Sequence, residues 1–255
     1  MTEGDRGRHL AYKDGTVTLA GETFAPVGEA NGQAVLVVHE ADGIGGNVRR
    51  HCRRLAKLGY FALAADMHGG GQPLQGATMA SRLAQFRADS DLVRNRVAAA
   101  HTALLCIAGV EAPRSAAIGF CFGGFAVLEL ARSGAPVAAV ASFHGLLTTA
   151  MPARRGEVTS RVAVYTGARD PLVPLCDVTR FQEEMSKADV DWQVSVYGKA
   201  LHSFTNADVG KLDDPRMAYD LLSHDASWHA ATHFLKAAWI GGTSRSEMTA
   251  RRRIV

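Results

Sequence analysis

Gly119-Phe120-Cys121-Phe122-Gly123-Gly124 decides how this chain folds. An apolar run, Arg114–Gly119, leads into it, and a helical pattern, Phe122–Arg132, leads out. A strand that turns this abruptly into a helix holds its central residue in a strained conformation. Small residues two before and two after it keep neighbouring backbone from clashing. The turn lifts the Cys121 side chain clear of the backbone. Cys121 also stands at a helix N-terminus, where the positive end of the dipole favours a thiolate. The Phe122 N–H points to the same spot and can stabilise an oxyanion. The plainer reading is a Gly-rich turn with a small buried cysteine, and the surrounding sequence decides between the two.

Outward from the elbow, apolar runs of strand length alternate with helical patterns. Strands are expected at Gln33–His39, Tyr60–Ala65, Arg114–Gly119, Pro136–Phe143, Arg161–Thr166 and Asp191–Tyr197. Helices are expected at Val48–Leu58, from Met79 to about Cys106, and at Phe122–Arg132, Leu175–Lys187 and Arg216–Trp239. Thr16–Phe24 adds an antiparallel edge. This alternation predicts an α/β fold with a mostly parallel central sheet and helices on both faces. With no Pro/Gly/Ser linker and no repeat, residues 1–255 read as one domain, with 1–15 and 243–255 as peripheral tails. In such a sheet the site lies at the carboxyl ends of the strands. The loops to examine are Ala41–Asn47, Asp66–Gly76, Arg169–Pro174 and Gly198–Asp214.

Two of those loops carry an acid and a histidine in the chain order nucleophile, acid, histidine. Asp170 follows the strand Arg161–Thr166 in Gly167-Ala168-Arg169-Asp170-Pro171-Leu172-Val173-Pro174. His202 follows Asp191–Tyr197 in Ala200-Leu201-His202-Ser203-Phe204. Alone, Asp170 reads as a turn residue before proline and His202 as a loop histidine. Three elements in order, each after a core strand, weaken that reading. His39-Glu40-Ala41-Asp42-Gly43 ends the first core strand. Neighbours on a strand face opposite ways, so only one of His39 and Glu40 faces the site. A Glu there opposes thiolate formation and can hold the thiol's proton; its bland alternative is a salt bridge with an arginine of the next helix.

Composition narrows the function classes. In 255 residues, 47% hydrophobic and 21% charged, the chain has the balance of a soluble globular protein. No uncharged apolar run reaches the ~18–20 residues of a membrane span. Met1–Asp14 is polar, so the expectation is a cytoplasmic protein with no membrane partner. Segment 243–255 holds Arg245, Arg251, Arg252, Arg253 and one acid, so its net +3 accounts for the +3 of the whole chain. The body is neutral, which argues against a nucleic-acid partner. Cys52, Cys106, Cys121 and Cys176 form no Cys-x-x-Cys motif and are expected to be free. Gly43-Ile44-Gly45-Gly46 lacks the third glycine of a dinucleotide fingerprint. His224, His229 and His233 read as surface or packing residues on one helix. Arg49, Arg50, Arg53, Arg54 and Lys57 read as a solvated helix face. His144, at a strand end, has no assigned role.

Taken together, Val38-His39-Glu40, the cysteine elbow, Gly167–Pro174 and His202-Ser203-Phe204 resemble the dienelactone hydrolases, a cysteine branch of the α/β-hydrolases. The resemblance runs from about Thr16 to Trp239. It implies the α/β-hydrolase fold and a triad of Cys121, His202 and Asp170, with Glu40 controlling the thiol and oxyanion N–H groups from Ala41 and Phe122. It implies a small lactone or ester as substrate and neither metal nor other cofactor. Family members carry an arginine four residues after the histidine that grips a substrate carboxylate; this chain has Asn206 there. For a second substrate-binding arginine, Arg82 is the best match and Arg87 the next. The expectation is a hydrolase opening a small lactone or cleaving a small ester. The alternatives are a general carboxylesterase or thioesterase on neutral substrates, or a non-catalytic binding protein on the same fold.

Overall fold

Strands buried on both faces are written as unbroken apolar runs, and those runs form the middle of the sheet. The computed structural model describes residues 7–251, with side chains through Ile240. In chain order the elements are β1 (Arg8–Asp14), β2 (Val17–Phe24), β3 (Ala34–Val38), α1 (Gly46–Lys57), β4 (Phe61–Ala65), α2 (Gly76–Ala88), α3 (Ser90–Ala108), β5 (Ser115–Phe120), α4 (Phe122–Arg132), β6 (Ala139–Phe143), β7 (Arg161–Gly167), α5 (Leu175–Lys187), β8 (Trp192–Tyr197) and α6 (Leu221–Arg251). The sheet order is β1-β2-β4-β3-β5-β6-β7-β8. Pairings from β4 to β8 are parallel, while β1–β2 and β2–β4 are antiparallel.

Alternate residues of each core strand serve opposite faces. Leu36 and Val38 pack with α3, α4 and α5 through Val97, Leu104, Leu128 and Phe181. Val35 and Val37 pack with α1 and α6 through Val48, Leu55, Trp228 and Leu235. The two layers fix β5 at the centre, so its carboxyl end, where the elbow lies, is flanked by the ends of β3 and β6.

Five expectations are corrected. Residues 8–14 are a strand rather than a peripheral tail: Tyr12 is buried, and its hydroxyl donates to Asp66 O at 2.9 Å. β2 therefore lies inside the sheet and β1 is the edge. The helical stretch beyond Met79 is two helices, because Asp89 caps α3 by accepting the Leu92 N–H at 2.9 Å. The last helix starts at Leu221, where Asp220 accepts the Ser223 N–H at 2.7 Å; its backbone continues through Arg251, and the side chains of the arginine tail lie outside the described residues. The basic face of α1 is not simply solvated. Arg49 is buried against Glu22 at 2.6 Å, Arg50 meets Asp208 at 2.5 Å, and Arg54 lies over Trp228. Among the described residues, no helix is long and apolar enough to cross a membrane.

Candidate active site

The elbow's glycines are required by contact. A Cβ on Gly119 would sit 2.0 Å from Gly123 O, and one on Gly123 would sit 2.2 Å from Val38 O. Helix α4 thus starts directly against the end of β3, bringing Phe122 beside the loop that begins at His39. Cys121 has φ 53° and ψ −116°. Five described non-glycine residues have positive φ, and three of them (Cys121, His144 and Ser203) belong to this site. Such strain persists only where the surroundings over-determine it. His144 supplies part of that constraint. Its Nδ1 accepts the Cys121 N–H at 3.1 Å, so its proton sits on Nε2 and donates to Thr205 Oγ1 at 2.8 Å. His144 thereby ties the elbow to the His202 loop. It is fully buried and does not line the pocket.

Asp170 and His202 arrive as the strand ends predict. Asp170 Oδ1 accepts the Leu172 and Val173 N–H groups at 2.8 and 3.2 Å, leaving Oδ2 to face His202 Nδ1 at 2.7 Å. His202 Nε2 lies 3.1 Å from Cys121 Sγ. The histidine loop is pinned on its far side, where His202 N–H donates to Arg216 O at 3.1 Å and Ala218 N–H to His202 O at 3.1 Å. Burial lowers the His202 pKa, but the Cys121 sulfur and the hydrogen bonds to Asp170 and Cys121 outweigh it and push it up to about 10. An imidazolium is favoured at this spot.

Of the pair at the end of β3, Glu40 faces the pocket and His39 turns inward. The Glu40 carboxylate accepts from Asn206 Nδ2 at 3.1 and 3.2 Å and from Asn47 Nδ2 at 3.4 Å. The hydrogen-bond partner of the Cys121 sulfur is His202, not Glu40. Burial and the neighbouring Asp42 push the Glu40 pKa up to about 7, against the Asn206 hydrogen bond. Asn206 is therefore occupied: its Oδ1 also accepts the Asp208 N–H at 2.9 Å and Arg50 Nη2 at 3.4 Å. Sequence reading missed Asn47, Arg50 and Asp208 in this network, because nothing local marks side chains that meet across the fold.

A pocket of about 700 Å³ opens over Cys121, with Glu40, Ala41, Phe122, His202 and Asn206 in its lining. Its walls include Met79, Leu83, Phe125, Leu146 and Met217. The Ala41 and Phe122 N–H groups meet no acceptor within the described residues. Arg82 is not in the lining; Arg87 is. Five helical positions rotate a side chain by about 140°, so these two arginines cannot both face inward. Of the other lining cations, Lys211 is paired with Asp208 at 2.7 Å and Arg216 with Asp214 at 2.6 Å. His224 is engaged by Arg54 at 2.8 Å and His229 by Asp225 O at 2.7 Å. No group of three metal-type side chains occurs among the described residues.

A model of the dienelactone hydrolase family matches residues 19–239. Among solved structures, a dienelactone hydrolase-like promiscuous phosphotriesterase from metagenomic libraries is 38% identical, with a TM-score of 0.82 over 91% of this chain and 97% of its own. A Synechocystis protein named "Putative carboxymethylenebutenolidase" is 26% identical over 224 residues, 82% of this chain and 88% of its own. An α/β hydrolase from a Medee basin deep-sea metagenome library is 16% identical and shares the fold, with a TM-score of 0.65 over 92% of this chain and 99% of its own.

Proposed function

The chain belongs to the dienelactone hydrolase family, and we propose that it opens small lactones or cleaves small esters with Cys121 as nucleophile, His202 as general acid and base, and Asp170 orienting the histidine. The observation that carries this reading is the continuous relay at the pocket floor, 2.7 Å from Asp170 to His202 and 3.1 Å from His202 to Cys121.

In the first half-reaction the Cys121 thiolate attacks the carbonyl carbon, and the negative charge passes to the carbonyl oxygen. The Ala41 and Phe122 N–H groups receive that oxyanion. The intermediate collapses with cleavage of the C–O bond, and the His202 imidazolium protonates the departing alkoxide, which stays tethered if the substrate is a lactone. His202, now neutral, takes a proton from water as the water oxygen attacks the thioester. Collapse of the second intermediate expels the thiolate and leaves the carboxylic acid. Asp170 holds the tautomer and orientation of His202 throughout. Glu40, with its pKa raised to about 7 in the pocket that the thiol also lines, sets how readily negative charge accumulates there.

Neutral substrates suit this pocket. In place of the family arginine stands Asn206, whose amide is committed to Glu40. Lys211 and Arg216 are committed to acids, and Arg87 is left as the lining cation without an ion pair among the described residues. The test is kcat/KM across matched lactones, esters and thioesters, with Cys121→Ala as control. A neutral phosphotriester belongs in the panel, because the 38%-identical relative is named a promiscuous phosphotriesterase. Turnover of a lactone or ester, lost in Cys121→Ala, is expected. Absence of turnover on the whole panel would favour a binding protein on this fold.

A further inference from the structure

We infer that His39 and His68 are positioning residues that together hold the Ala41 peptide so that its N–H points at the substrate oxyanion. This inference rests on the cysteine-hydrolase reading above and deepens it.

Ala41 lies between two peptide groups, and a histidine grips each of them. On the amino side, the His39 ring accepts the Met67 N–H on Nε2 at 3.1 Å. The ring proton is therefore on Nδ1, and it donates to Glu40 O at 2.5 Å. Glu40 O and the Ala41 N–H belong to one planar trans peptide and point in opposite directions. Anchoring the oxygen on the buried side therefore aims the N–H away from it, toward the pocket that Ala41 lines. Gly43 N–H adds a longer contact to the same oxygen at 3.3 Å. On the carboxyl side, His68 Nε2–H donates to Ala41 O at 2.9 Å. The His68 Nδ1 has no donor among the described residues, as befits a lone pair on a ring protonated at Nε2. The His68 ring is stacked 15° from coplanar with Phe122, the residue offering the other oxyanion N–H.

Both histidines are anchored by the loop after β4. Asp66 gathers four backbone N–H groups, those of Ala20, His68, Gly69 and Gly71, at 2.9 to 3.0 Å. Arg96 fixes Met67 O at 2.8 Å. The loop that presents Met67 N–H and His68 is therefore rigid. Burial pushes the His39 pKa down to about 3 and lowers that of His68, so both rings are neutral and keep these donor assignments at physiological pH.

The amide nitrogen of Asn reaches the place of a histidine Nδ1, and that of Gln the place of Nε2. The two positions therefore give opposite expectations. At His39 the contact is through Nδ1: His39→Gln loses the grip on Glu40 O, and His39→Asn restores it. At His68 the contact is through Nε2: His68→Asn loses it, and His68→Gln restores it. Loss of a whole oxyanion donor costs about 10²–10³ in kcat. Misdirection of one that Gly43 still partly holds is expected to cost about 10 to 100-fold, with KM within about twofold. The measurements are kcat and KM for the four variants, the affinity for a trifluoromethyl ketone analogue that adds to Cys121 and leaves an oxyanion, and the rate of iodoacetamide alkylation, which needs no oxyanion hole. The expected result is that His39→Gln and His68→Asn lose kcat and ketone affinity together while alkylation is unchanged, and that His39→Asn and His68→Gln recover most of the loss. Equal losses for Asn and Gln at either position, or a parallel fall in alkylation, would overturn the proposal. If the wild-type protein forms no covalent ketone adduct, the nucleophile reading itself fails; an adduct that is equally tight in His39→Gln refutes only the positioning role.

Discussion

Asn206→Ala removes the amide that donates to both oxygens of Glu40, at 3.1 and 3.2 Å. A hydrogen bond to a charged acceptor contributes about 1.5–3 kcal/mol and one to a neutral acceptor about 1. The ionised form of Glu40 therefore loses about 1–1.5 kcal/mol more than the protonated form. At 1.36 kcal/mol per pKa unit, this raises the titration midpoint by about one unit, from about 7. The same difference appears in stability. The variant costs more at pH 9, where Glu40 is ionised, than at pH 5, where it is protonated, and the gap is about 1–1.5 kcal/mol. Loss of the Asn206 Oδ1 contacts to Asp208 and Arg50 adds a cost that does not follow this titration. Difference infrared titration of the protonated carboxyl band, assigned by its disappearance in Glu40→Gln, reads the midpoint directly. Urea denaturation at the two pH values reads the gap. A midpoint that stays put or falls in Asn206→Ala, or a stability cost that is flat with pH, would refute the reasoning.

Three further outcomes are expected. Asn206→Arg should move preference toward anionic substrates by about 10–150-fold in kcat/KM, the equivalent of a charge-assisted contact of about 1.5–3 kcal/mol. A matched acid and methyl-ester pair measures it, and a wild type already favouring the acid about 100-fold would assign the grip to Arg87 instead. His202→Ala and Asp170→Asn should be strongly non-additive in kcat, because either loss disables the same base; losses that multiply in the double variant would contradict a shared role. Stability should fall as pH drops from 7.5 to 5.5. Burial depresses the pKa of His39, His51, His101 and His144, so the unfolded chain binds more protons below pH 6.5, and each histidine loses about 1.4 kcal/mol per pH unit there. Glu40 and His202, both raised, bind protons in the folded state and offset about half of that loss. Burial also lowers the pKa of His68 and His224, which adds to the loss, so the expected net fall is at least about 2 kcal/mol by urea denaturation, and stability that is unchanged or higher at pH 5.5 would contradict it.

The parts legible in the sequence are those whose physics is local. The strands β3 to β7 announce themselves because burial on both faces leaves almost no polar position in them. Gly119, Gly123 and Gly124 announce the elbow because no larger residue fits. Asp170 and His202 follow from the rule that sites gather at strand ends, with chain order doing the rest. What was missed depends on contacts across the fold. β1 carries one buried anchor, Tyr12, and a partly buried Leu10 between charged ends, too little pattern to distinguish a strand from a tail. The break at Asp89 is a single capping residue inside a good helical pattern. Asn206 reads as a lost arginine in sequence, yet in space it is the partner of Glu40. His39, His68 and His144 lie in or beside the motifs, but their purpose appears only when Met67, Ala41 and Thr205 are brought to them.

Mass spectrometry of the intact protein, quenched during turnover of a slow ester, tests the central claim most directly. The account predicts a species heavier by the acyl group of the substrate, with the added mass mapping to the peptide that contains Cys121. That species should accumulate in His202→Ala if acylation persists while deacylation slows, and should be absent in Cys121→Ala. Turnover with no acyl adduct under any quench, or an adduct that survives in Cys121→Ala, would contradict it.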